Sequence, residues 1–153
     1  MDSEKLNRWM TLGANIGVLA GIIFLAFELQ QNTVATQLEA ASNFQSSFNE
    51  IELLIASNPE FAELLRKGRE GEDTSAAEQL RLSVFYNNVL RQWQFNHFQF
   101  LSDALSAEMW EANRAFMANT IGEDGGLFRH WQKNRSHFNP EFNEVIVAIT
   151  VEL

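Results

Sequence analysis

The chain has 153 residues, no cysteine, two prolines and a formal net charge of −9. That acidic balance excludes a nucleic-acid-binding face, which needs clustered Lys and Arg to neutralise phosphates, and the missing thiols exclude disulfides and thiolate metal sites. Neither fact selects a compartment, because exported domains without cysteine are common.

After a short flank at residues 1–8, the first predicted element is a transmembrane helix over residues 9–27. Trp9 to Phe27 contains no ionisable side chain. At about 1.5 Å per residue the stretch spans roughly 28 Å, close to the ~30 Å hydrocarbon layer of a bilayer. Trp9 sits where an interfacial aromatic belongs, Lys5 and Arg8 are placed to snorkel outward, and Glu28, Gln30, Gln31 and Asn32 end the apolar run. A cleaved signal peptide is the main alternative. It is disfavoured by the length of the run and by the lack of a clean small-x-small site, Thr33-Val34-Ala35 being the nearest approach. The other alternative is a buried core helix of a soluble protein, since Asn15 and the glycines dilute the hydrophobicity. Lys5 and Arg8 precede the helix and no Lys or Arg follows until Arg66, so the positive-inside rule predicts a cytoplasmic N-terminus and a periplasmic C-terminal domain.

Gly13, Gly17 and Gly21 recur every four residues. At 100° per residue they fall within an arc of about 80°, with Asn15 nearly opposite on a second stripe with Thr11, Ile22 and Ala26. A smooth glycine face and a polar amide in hydrocarbon both favour contact with another helix, so the helix-packing residues are Gly13, Gly17, Gly21 and Asn15. Two opposed contact faces suit a ring better than a simple dimer. Glu28 lies on the glycine side at the membrane exit, where association gathers carboxylates. It is therefore the candidate ion contact of an alternative reading, a homo-oligomeric cation pore.

Residues 28–57 are predicted to continue as a long helix leaving the membrane, with an apolar stripe at Val34, Leu38, Ala41, Phe44, Phe48, Ile51 and Ile55. Residues 58–153 complete a helical bundle domain. Asn58-Pro59-Glu60 opens a helix that Gly68 and Gly71 close. Thr74 or Ser75 caps a third helix running to about Leu101, with Ser75 and Glu78 at capping-box spacing. A fourth helix begins near Ser106 and stops before Gly122, and Glu123-Asp124-Gly125-Gly126 reads as a turn. A fifth carries Leu127, Phe128 and Trp131, and Asn139-Pro140-Glu141 starts a sixth. The predicted class is all-α: a single N-terminal transmembrane helix continuing into an antiparallel helical bundle.

The exit segment Leu25-Ala26-Phe27-Glu28-Leu29-Gln30-Gln31-Asn32-Thr33 resembles a widespread group of small uncharacterised bacterial proteins. These have one N-terminal hydrophobic helix, a Gln-x-Asn-Thr exit and an α-helical C-terminal domain with a Pro-Glu-Phe or Pro-Glu-Leu step. The resemblance implies this architecture, and the expected location is a bacterial inner membrane. It transfers no catalytic residues.

Candidate chemistries are few. None of His97, His130 and His137 has a Glu three residues before it, so the di-iron helical-bundle pattern fails, and no metal or cofactor is expected. There is no nucleophile elbow, phosphate loop or isolated carboxylate pair, and an enzyme is not expected. Trp93, Phe95, Phe98 and Phe100 surround His97, which suggests burial on more than one side of the third helix. The bland reading is a bundle core. The functional one is an apolar site for a lipid, quinone or pigment touching Trp93, His97 and Phe98. Arg129, His130, Lys133, Arg135 and His137 form the one basic stretch, read as a solvated face. Glu63 with Lys67 and Arg66 with Glu70 stand at helix-pair spacing. The expected partners are the lipid bilayer and further copies of the chain or a larger membrane complex, with no nucleic acid.

Overall fold

The computed structural model describes residues 2–151, with all their side chains except those of Phe44, Ser47 and Glu123. Every regular element is helical, with no strand among the described residues. The helices are α1 (Ser3–Ser57), α2 (Pro59–Glu70), α3 (Ala76–Leu101), α4 (Ala107–Glu123), α5 (Gly125–Asn134) and α6 (Pro140–Val151), with a 3-10 turn at Arg135–His137. The chain divides into two compact units, Met1–Glu39 and Ala40–Leu153, and α1 contributes residues to both.

In the first unit α1 holds one segment long and apolar enough to cross a membrane, and none of that segment is buried. Neither glycine nor proline occurs between Gly21 and Ser57, so nothing local breaks the helix before Asn58. There Pro59 disfavours helical backbone in the residue preceding it.

The second unit is set by its caps. Asn58 Oδ1 accepts from Phe61 N at 3.0 Å and Asn139 Oδ1 from Phe142 N at 3.2 Å, so the two Asn-Pro-Glu-Phe steps use the same start chemistry. Gly71 closes α2 in the left-handed region at φ 74°. Ser75 and Glu78 form a complete capping box at the head of α3. α2 packs on α3 and α5, α3 on α4 and α5, and α4 on α5 and α6. Trp93, Leu90, Met117, Leu127, Phe142, Ile146 and Ile149 are fully buried where they meet. Burial of such a side chain contributes about 1.5–3 kcal/mol.

Two boundaries differ from expectation. Gly122 lies inside α4, and Gly125 and Gly126 form the first turn of α5 instead of a loop. The cause is Asp124, whose Oδ1 accepts from Gly126 N at 2.9 Å and Leu127 N at 3.1 Å and so starts a helix directly after the previous one ends. Of the expected stripe on α1, Ala41, Phe48, Ile51 and Ile55 are half-buried, Val34 and Leu38 are exposed, and the Phe44 side chain lies outside the described residues.

Among the described residues two buried amides are incompletely matched, Asn96 at Nδ2 and Asn113 at both atoms. Asn113, on the face of α4 that carries Trp110 and Met117, is buried with both Nδ2 and Oδ1 lacking a hydrogen bond. Unpaired buried polar groups cost about 1–3 kcal/mol each, so Asn113→Leu, which keeps the volume and removes both atoms, is expected to stabilise the domain by about that amount. Thermal unfolding checks this. A midpoint that stays level or falls would mean the amide is satisfied.

Candidate functional site

The expected packing residues sit on an open helix. A Cβ added at Gly13, Gly17 or Gly21 would meet no atom within 4 Å. Asn15 is exposed, and its amide has no partner among the described residues. Thr11, by contrast, satisfies its hydroxyl on Asn7 O at 3.0 Å. Glu28 is exposed on the same helix.

The expected aromatic site on α3 is divided. Trp93 and His97 are buried, His97 being 6% exposed, but Phe98 is 59% exposed and Phe95 50%. The expectation of burial on more than one side of α3 therefore does not hold. His97 packs its ring on Trp110 at 5.1 Å and on Phe142 at 6.3 Å. Trp93 faces a different space, a cavity of about 190 Å³. Phe48, Ile51 and Ile55 of α1 form one wall of it, Val89 and Trp93 of α3 the floor, and Phe116 of α4 the side. Phe48 meets Phe116 edge to face at 4.8 Å.

One end of the cavity is polar. Tyr86, Thr120 and Asp124 line it, with Glu52 and Arg69 exposed at the mouth. Asp124 is 7% exposed. Its Oδ1 accepts from the Tyr86 hydroxyl at 3.4 Å in addition to its two capping bonds. Burial, and then the Asp124 charge, push the Tyr86 phenol well above its ordinary pKa, so it stays protonated. Beside this pair α2 crosses α5 at two glycines. A Cβ on Gly126 would lie 2.5 Å from Gly68 O and 2.5 Å from Tyr86 Oη. Arg129 seals the crossing by donating to Gly68 O at 2.9 Å.

Neither Tyr86 nor Asp124 stood out in the sequence. The signal for Asp124 was present, an acidic residue directly before an apolar helical run, but the double glycine after it resembles a turn. A glycine inside a helical pattern, such as Gly68, is a sign of close backbone approach.

The charged groups follow their spacing in part: Arg66 pairs with Glu70 as expected, but Lys67 does not take Glu63. Arg66 bridges Glu63, Glu70 and Glu72 at 2.7, 2.6 and 2.6 Å, while Lys67 pairs with Glu78 at 3.2 Å and not with Glu63. Arg114 pairs with Glu111 at 3.3 Å on the surface, and Arg91 is exposed. His130 lies on α5 but His137 belongs to the following 3-10 turn, so the basic stretch is not one helix face.

These groups predict a two-stage acid response. Burial lowers the His97 pKa, and burial with the nearby His137 and Lys133 charges lowers that of His130. The unfolded chain therefore takes up protons first, and stability starts to fall as the pH drops below about 6.5. Glu78, held by the Ser75 backbone N–H, the Ser75 hydroxyl and Lys67, is pulled down to about 2. Its contribution is complete above the ordinary glutamate value of 4.5 and is lost between there and about 2. Urea midpoints measured against pH should show both steps, with His97→Gln flattening the upper one and Glu78→Gln the lower.

Comparison with family models, with curated proteins and with solved structures finds no match to this chain, so its own geometry carries the functional argument.

Proposed function

We propose that this is a bitopic membrane protein whose N-terminal helix associates with further copies of itself, or docks in a larger membrane complex, through the face of Gly13, Gly17 and Gly21. The carrying observation is the open state of that face, with no atom within reach of any of the three positions, together with an unpartnered Asn15 amide on the far side. In hydrocarbon there is no water to satisfy the amide, and close backbone approach at glycine is what brings helices together there. On this reading residues 9–27 span a bacterial inner membrane with Lys5 and Arg8 in the cytoplasm. The helices of the second unit form a periplasmic interaction domain in an antiparallel bundle. Assembly brings several copies of Glu28 close at the membrane exit.

Native mass measurement of the full chain, purified in mild detergent, tests the proposal. A discrete multiple of the 17.5 kDa protomer, or a stable complex with another membrane protein, is the expected result. A strict monomer without any partner would remove it.

A further inference from the structure

We infer that the 190 Å³ cavity of the second unit is a binding site for a neutral, single-ring aromatic molecule that carries a hydrogen-bond donor at one edge, such as a phenol. This stands apart from the behaviour of the glycine face, since every wall residue belongs to the Ala40–Leu153 unit.

Size gives the first restriction. Apolar cavities on the order of 150 Å³ admit benzene, so this one holds a single ring, and a porphyrin-sized pigment does not fit. The walls give the second. Phe48, Trp93 and Phe116 present aromatic surface, and Ile55 and Val89 complete an apolar lining. Such a lining accepts a ring by edge and face contacts.

The polar end gives the third, and it is the most selective. Its hydroxyl donors are already spent on the protein: Tyr86 donates to Asp124 Oδ1 at 3.4 Å and Thr120 to Phe116 O at 2.8 Å. What remains on Tyr86, Thr120 and Asp124 is acceptor capacity, the donors of Arg69 and Gln92 lying elsewhere on the lining. Asp124 Oδ1 takes three donors, while Oδ2 of this nine-tenths-buried carboxylate has no partner among the described residues. A carboxylate oxygen that accepts no protein donor is a strong acceptor, and a ligand O–H or N–H can bind it. A quinone brings only acceptors to that end and meets no free hydroxyl.

The full chain in lipid nanodiscs, titrated with phenol, anisole and toluene and followed by the methyl resonances of Ile55 and Leu127, tests the inference. Saturable shifts are expected, with phenol binding about tenfold more tightly than anisole or toluene, as one hydrogen bond to a charged acceptor requires. Val89→Phe fills the floor and should abolish the shifts. Where that variant fails to fold, Ile55→Phe on the α1 wall serves the same purpose. Asp124→Asn keeps a side-chain oxygen for the cap but offers an amide donor to the cavity, which both phenol and anisole can accept, so it should remove the preference for phenol. The inference is overturned by shifts that do not saturate, by undiminished binding to a folded cavity-filled variant, or by equal affinity of the wild type for phenol and anisole.

Discussion

Gly126→Ala is expected to destabilise the helical domain by about 1–3 kcal/mol or more, the range for forcing extra volume into a packed core. The added methyl would sit 2.5 Å from Gly68 O and 2.8 Å from Gly68 C, both backbone atoms that cannot rotate away. It would also meet Tyr86 Oη at 2.5 Å. Relief requires α2 and α5 to separate, and that separation stretches the Arg129 bond to Gly68 O and the Tyr86 bond to Asp124. Gly125→Ala is the control. Its methyl would press on Arg129 Nη1 at 2.9 Å, the movable end of a long side chain, and otherwise meets only Arg69 O at 3.5 Å. Alanine is worth up to ~1 kcal/mol over glycine within a helix, so that variant should be neutral or slightly stabilised. Thermal unfolding followed by fluorescence of the buried Trp93, Trp110 and Trp131 compares the two. Equal midpoints would mean that the crossing is loose.

Gly17→Ile should release protomers from the proposed assembly. Position 17 is central to the 80° glycine arc, where contact between helices depends on van der Waals packing at close backbone approach. A branched side chain holds the axes apart along the whole face, and Gly13 and Gly21 lose their contacts with it. The expected result is a loss of association of at least about tenfold, equivalent to ~1.4 kcal/mol, read as a shift from the assembled mass to the monomer. Ile16→Ala, about 100° away and off the Asn15 stripe, should leave the mass unchanged. The helical domain should unfold at the same temperature in both variants.

Local chemistry was legible in the sequence, and non-local contact was not. The starts at Asn58, Ser75 and Asn139 could be read because an N-cap is made between residues three apart. The left-handed Gly71 and the stop at Ser57 are equally local. The division of the α3 aromatics could not be read, because Trp93, Phe95, Phe98 and Phe100 place rings on more than one side of the helix. Which side is covered depends on where α4 and α6 pack. Lys67 chose Glu78 over Glu63 because the α2–α3 turn brings Glu78 near, an arrangement that helix spacing alone does not contain. The cavity was hidden for the same reason, since its walls come from α1, α2, α3, α4 and α5 and its polar end from a cap that resembled a turn. The common side of Gly13, Gly17 and Gly21 needed only the helical period, and a packing role for it is the proposal made above.

Because the chain has no cysteine, single cysteines placed one at a time from residue 9 to residue 27 give oxidative cross-links free of background. In native membranes, efficiency should peak at Gly13→Cys, Gly17→Cys and Gly21→Cys, rise again on the stripe of Thr11, Asn15, Ile22 and Ala26 if a ring forms, and fall at Ile16 and Ile23 between them. Cross-linking that is absent throughout, or uniform around the helix, would contradict self-association through the glycine face.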